Sequence, residues 1–237
     1  MKTILLLIIA SISASTIALE ANLAAEDNWP PYSGQNEIGV SQVIIKKAFQ
    51  KSGVKVKIDS YPYARAEKKV LNGQLDGFFN VSKQPSTLGK FHFGKEPILK
   101  AKASFFYHKK RSFKFRSLKD LPKGTAFILI RGFEYGKDFE QHKHKFDIEY
   151  VHSQEQIINM LISNRPAITI MYDEVAKYHL DRMPGTKKNI KNKPSHTSSI
   201  YLAFNKDSPK SKALSKKLDE GLRKLKRTDM YEELLNF

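Results

Sequence analysis

The chain has 237 residues, 41% of them hydrophobic and 27% charged, and a formal charge of +17 from 41 Lys and Arg against 24 Asp and Glu. That length allows one large domain or two small ones with real cores, and the composition excludes a disordered chain. With no cysteine, disulfides, thiolate nucleophiles and zinc–thiolate sites are excluded. The positive excess could suit nucleic acid or an anionic membrane. The lysines, however, are spread along the chain and mixed with acids, as on a solvated surface, and no nucleic-acid partner is expected.

Residues 1–18 have the plan of a secretory signal: Lys2, an apolar run from Ile4 to Ile9, and the small-x-small triplet Thr16-Ile17-Ala18. The run is short of the ~20 residues that a membrane span needs. No Cys stands at the cleavage point to carry a lipid. The expected product is a soluble periplasmic protein and not a lipoprotein.

Residues 21–25 read as a first strand, entering the loop Glu26-Asp27-Asn28-Trp29-Pro30-Pro31-Tyr32, where Trp29 between acids and a Pro-Pro pair suits a cleft. Val40, Val43, Ile44 and Ala48 follow helical spacing to about Lys51. Val54, Val56 and Ile58 alternate with Lys55, Lys57 and Asp59, the pattern of a half-buried strand. A short helix over 64–71 stops at Asn72-Gly73, and 77–81 is an apolar strand. Strand, helix, strand at this spacing makes a βαβ unit with parallel strands. Ligands sit beyond the carboxyl ends of such strands, here marked by Tyr61, Tyr63, Arg65, Asn80 and Ser82.

Residues 83–90 read as a polar loop, 101–108 as a strand, and 109–119 as a basic linker whose Phe113 and Phe115 should pack on a lobe. A second β-α-β-α-β run follows. Its parts are a strand over 126–130, a turn Arg131-Gly132-Phe133-Glu134-Tyr135-Gly136 into a short helix, a strand at Ile148 and Tyr150, a helix opened by Ser153-Gln154-Glu155-Gln156, and a strand over 167–171. Asp173 then lies at a strand's carboxyl end, as an N-cap or a ligand contact. Residues 184–194 read as a basic loop, 199–205 as a strand, and 206–227 as an amphipathic helix docked through Leu214, Leu218, Leu222 and Leu225, with a shorter helix to Phe237.

This order resembles the small extracellular solute-binding proteins of ABC importers, the family of polar amino-acid receptors. The likeness rests on Trp29-Pro30-Pro31-Tyr32; on Tyr61-Pro62-Tyr63-Ala64-Arg65-Ala66 followed by Asn72-Gly73-Gln74-Leu75-Asp76-Gly77; on Phe93-Gly94-Lys95-Glu96-Pro97-Ile98; on Arg131-Gly132-Phe133-Glu134-Tyr135; and on Tyr201-Leu202-Ala203-Phe204-Asn205-Lys206-Asp207-Ser208-Pro209. It implies an α/β fold of two Rossmann-like lobes joined by two crossing strands, the periplasmic binding protein-like II fold. Lobe one would hold residues 19–104 and 200–237, and lobe two residues 105–199. A small polar solute, an amino acid or a related compound, would be trapped between them by hinge closure and delivered to an inner-membrane ABC permease.

The implied ligand-binding residues are Trp29, Tyr32, Arg65, Asn80, Arg131, Gly132, Tyr135 and Asp173. Trp29 and Tyr32 would pack on the ligand, Arg65 and Arg131 would neutralise acidic groups, and Asp173 or Glu134 would accept from an amine. One departure counts against a plain α-amino acid. The loop Lys83-Gln84-Pro85-Ser86-Thr87-Leu88-Gly89 has no Arg, where receptors of this family usually hold the ligand carboxylate bidentately.

The expectation is a monomeric binding protein, not an enzyme, with no cofactor. His142 and His144, with His152 nearby, are too loosely grouped to expect a metal. The alternatives are a dehydratase-like enzyme on the same scaffold, a sensor, or a protein that binds envelope polymers.

Overall fold

The computed structural model describes residues 19–34 and 38–236; the expected signal segment lies outside them. Strands β1 (Glu20–Glu26), β4 (Lys55–Tyr61) and β5 (Gly77–Ser82) are parallel, with β1 between the other two. The βαβ unit expected around helix α2 (Tyr63–Leu71) is therefore present, and its two strands flank β1 instead of pairing with each other. A small ladder of β2 (Asn28–Trp29) and β3 (Ser33–Gly34) folds the aromatic loop over the end of β1.

Two long strands join the lobes. β7 (Leu99–His108) and β11 (Ile190–Asn205) pair antiparallel, and β11 also pairs with β5 and with the short β6 (Phe91–Phe93). On the far side β10 (Ala167–Tyr172) pairs with β7 and with β8 (Ala126–Ile130), which is parallel to β9 (Asp147–Val151). One nine-stranded sheet thus runs through the molecule in the order β4-β1-β5-β11-β7-β10-β8-β9, with β6 beside β11. The architecture is two α/β lobes on a pair of crossing strands.

Two expectations are corrected. The basic loop over 184–194 ends early, because β11 begins at Ile190 and pairs residue by residue with His108 and its neighbours. Its exposed lysines hid the strand: the pairing is carried by main chain. Pro194, which has no N–H to give, sits where the register shifts. The polar loop over 83–90 contains a helical turn, α3 (Pro85–Leu88), with Pro at its start. The Thr87 hydroxyl accepts from Gln84 N–H at 3.1 Å and donates to the Ser82 carbonyl at 2.7 Å.

In lobe one, helix α1 (Val40–Lys51) buries Ile44, Ile45, Ala48 and Phe49 against α7 (Ser211–Leu225), whose Leu214, Leu218, Leu222 and Leu225 face inward. A β-carbon at Gly221 would lie 1.8 Å from the Ala48 carbonyl oxygen, so that residue sets how closely the helices approach. After α7, helix α8 (Asp229–Leu235) sends Tyr231 into the core, where its hydroxyl donates to the Ile98 carbonyl at 2.8 Å. Lobe two packs α4 (Lys137–His142), α5 (Gln154–Ile162) and α6 (Asp173–Arg182) around β8 and β10. The linker's Phe115 docks on Phe105, ring centroids 5.1 Å apart, and Phe113 on Tyr107. No helix among the described residues is long and apolar enough to cross a membrane.

Candidate functional site

The carboxyl ends of β1, β5, β8 and β10 meet at the seam between the lobes. Gly132 (φ +89°) turns the chain out of β8 and presents Phe133 and Glu134 to lobe one. Phe133 packs against core residues of both lobes, with its ring centroid 5.7 Å from that of Tyr63. Tyr63 donates a short hydrogen bond from its hydroxyl to Glu134 Oε1. Ser82, at the end of β5, donates to Oε2 from its backbone N–H at 3.3 Å and from its hydroxyl at 3.4 Å. One side chain of lobe two is therefore held by two residues of lobe one.

Electrostatics at the seam run acidic. Burial lifts the Glu134 carboxyl to about 7, although the hydrogen bonds from Tyr63 and Ser82 pull the other way. Glu26, at the end of β1 and buried, is raised well above the usual carboxylate range by desolvation, then by the charges of Glu134 and Asp27. Burial likewise pushes the Tyr172 hydroxyl up to about 12.

The sequence-derived candidates divide into two groups. Trp29 (2% exposed) and Tyr32 (3%) lie at the seam, their rings 4.3 Å apart, and Trp29 meets Tyr172 of lobe two edge-on at 5.1 Å. Asn80 is buried in β5 at φ +71°, and its amide donates to Ser33 Oγ at 2.8 Å. It has no register partner in β11, which pairs Val81 with Tyr201 and Phe79 with Leu202, so Asn80 is the extra residue of a bulge. Asp173 opens α6 as its first residue, not as its cap, and its Oδ1 is buried without a partner. Tyr135 is buried in lobe two, where its hydroxyl accepts from Ile130 N–H at 2.6 Å.

Arg65, Arg131 and Gly132 are exposed, and the Arg131 guanidinium lies 5.0 Å over the Tyr150 ring. Neither arginine is among the residues that meet at the seam. Sequence reasoning missed Glu26, Phe133, Gln154 and Tyr172. For Glu26 a signal existed, since it ends β1 in the row that holds Tyr61 and Ser82.

Two cavities adjoin this seam. One of about 10 Å³ is enclosed by Trp29, Phe133, Glu134, Gln154, Tyr172 and their neighbours, room for about one water. The other, open and about 540 Å³, lies between the lobes along β11 and is lined by Ser82, Gln84, Tyr135, His196 and Ser198 among others. Tyr135 and His196 border both.

The family profile of bacterial extracellular solute-binding proteins, family 3, matches residues 22–236. The chain belongs to this family. A search of curated proteins finds no match. Among solved structures, the ancestral amino acid-binding protein AncCDT-1, a precursor of cyclohexadienyl dehydratase, superposes with a TM-score of 0.71 at 16% identity, covering 91% of this chain and 93% of that one. An amino acid ABC transporter substrate-binding protein from Streptococcus pneumoniae, bound to L-arginine, gives 0.72 at 19% identity over 91% and 92%. A histidine kinase sensor domain similar to periplasmic binding proteins gives 0.71 at 13% identity over 90% and 93%. At such identities these likenesses establish the fold: a solute-binding protein of two lobes.

Proposed function

We propose that this solute-binding protein is exported to the periplasm, closes its lobes on a small polar solute and presents it to an inner-membrane ABC permease. The supporting observation is Glu134: a carboxylate of lobe two lies against donors of lobe one, where a polar solute would also meet both walls. Closure would bend the β7–β11 pair and bring Tyr172 onto Trp29. In this reading the solute is released unchanged.

Thermal unfolding of the purified protein against amino acids, amines, organic acids and short peptides tests the reading. A ligand at a hundred times its dissociation constant adds about 2.7 kcal/mol. For a chain of this size the midpoint should rise by roughly 5–10 °C. No rise with any solute class would count against a receptor.

A second reading, an enzyme on this scaffold, is favoured by Glu134 itself. A buried carboxyl that holds its proton near 7 is what a general acid requires. Conversion of a bound solute on incubation would establish that reading, and recovery of the solute intact would oppose it.

A further inference from the structure

The seam's own chemistry narrows the solute, if the receptor reading holds, on which this inference rests. The groups that converge there are mostly acceptors. Glu26 and Glu134 bring carboxylates from the two lobes close enough to raise each other's hold on a proton. Asn80 Oδ1, Gln154 Oε1 and Asp173 Oδ1 are buried and without hydrogen-bond partners. Asn80 is 6% exposed and Gln154 4%, and Gln154 lines the small cavity beside Glu134. A buried acceptor left unpaired costs about 1–3 kcal/mol, so the seam is short of donors.

Cations are missing from it as well. No Lys or Arg lines the small cavity among the described residues. Arg65 and Arg131, which could have met an anion, are exposed. Around the acceptors stand the rings of Trp29, Tyr32, Phe133 and Tyr172, with the Trp29 and Tyr172 rings at right angles. Aromatic faces attract ammonium groups and pack on methylene chains.

We propose that the cleft takes a protonated primary amine that carries no carboxylate, with its ammonium between Glu26 and Glu134 and its carbon chain against Trp29 and Tyr172. The three N–H bonds of an ammonium match the unpaired oxygens, and its charge offsets two carboxylates that are otherwise crowded together. A cavity of about 10 Å³ holds no such molecule, so the lobes part to admit it and Phe133 and Glu134 shift to make room.

The test is a titration of the full-length wild-type protein, read by the emission of its single tryptophan, Trp29, and by melting temperature. The probes are 1,4-diaminobutane and n-butylamine, with 1,4-butanediol as the uncharged counterpart, succinate as the anion, and L-arginine and L-glutamate as zwitterions. Saturable binding of the amines, at least tenfold tighter than of the diol, is expected. Glu134→Gln and Glu26→Gln should each weaken it tenfold or more.

Binding of succinate or of a zwitterion in preference to the amines would overturn the cation assignment and leave the receptor reading standing. No shift of either signal by any probe would count against both. The amine–diol comparison needs no variant, so a misfolded Glu→Gln protein does not remove the test.

Discussion

The Tyr63 hydroxyl and the Glu134 carboxylate lie 71 positions apart in the chain and meet across the seam of the two lobes. Tyr63 opens the helix after β4 in lobe one, and Glu134 follows β8 in lobe two. Their hydrogen bond is a direct tie between the walls of the cleft, so it reports on closure.

Removing the donor should loosen the closed form. Tyr63→Phe keeps the ring against Phe78 and Phe133 and deletes only the hydroxyl. A hydrogen bond to a charged group contributes about 1.5–3 kcal/mol. The radius of gyration from X-ray scattering should rise and Trp29 emission should move to longer wavelength. If neither changes, this tie does not hold the lobes together.

Stability should fall as the solution turns from acid to neutral. Glu134 in the folded chain titrates at about 7, above the ordinary carboxylate value. Its stabilising share is complete below an unfolded pKa of ~4.3 and is lost as pH rises through the folded one. The charged or titratable groups acting on it are Tyr63 and Glu67 from α2 and Glu26 from β1, and Glu26 adds a loss of the same sign. Melting temperature should drop between pH 5 and 8, and Glu134→Gln should flatten the slope. Equal slopes in the two proteins would refute this account.

Asn80 separates backbone from side chain. Asn80→Ala keeps a β-carbon at φ +71° and removes the amide that holds Ser33, and should cost about 1–3 kcal/mol in urea unfolding. Asn80→Gly relieves the backbone and should cost less. An alanine variant at least as stable as the glycine one would contradict a strained bulge.

Gly221→Ala should be the most disruptive of these changes. Its β-carbon would fall 1.8 Å from the Ala48 carbonyl oxygen, main chain that no rotamer change can move. Overpacking of a core costs about 1–3 kcal/mol and occasionally more. Circular dichroism melting should place this variant below all the others. By contrast, Arg65→Ala and Arg131→Ala should leave stability within ~0.5 kcal/mol of wild type.

Much of the fold was legible because its signals are local. The alternation from Val54 to Ile58, the leucine stripe of α7 and the Gly breaks each lie within a few residues and mark β4, α7 and the turns. The first half of β11 was not legible, since its lysines show no alternation and its pairing belongs to β7. At the seam, Trp29, Tyr32, Asn80, Tyr63 and Ser82 could be read from their places at strand ends. The arginines misled because charge type suggests a role but not a direction, and both are exposed. Tyr172 and Gln154 join the seam through lobe packing, and no short stretch of sequence encodes that.

The path of β11 carries a consequence for the order of folding. Lobe two is built from an unbroken stretch of chain between the crossing strands. Lobe one depends on both ends, because β5 waits for the last residues of β11 and α1 waits for α7. The pairing of α1 with α7 spans most of the chain and closes a very long loop, the kind of contact that slows folding. Lobe two is thus able to assemble from its own contacts, while the core beside β1 stays open until the last helices arrive. A chain cut before α7 should leave α1 without its cover and expose Ile44, Ile45 and Phe49.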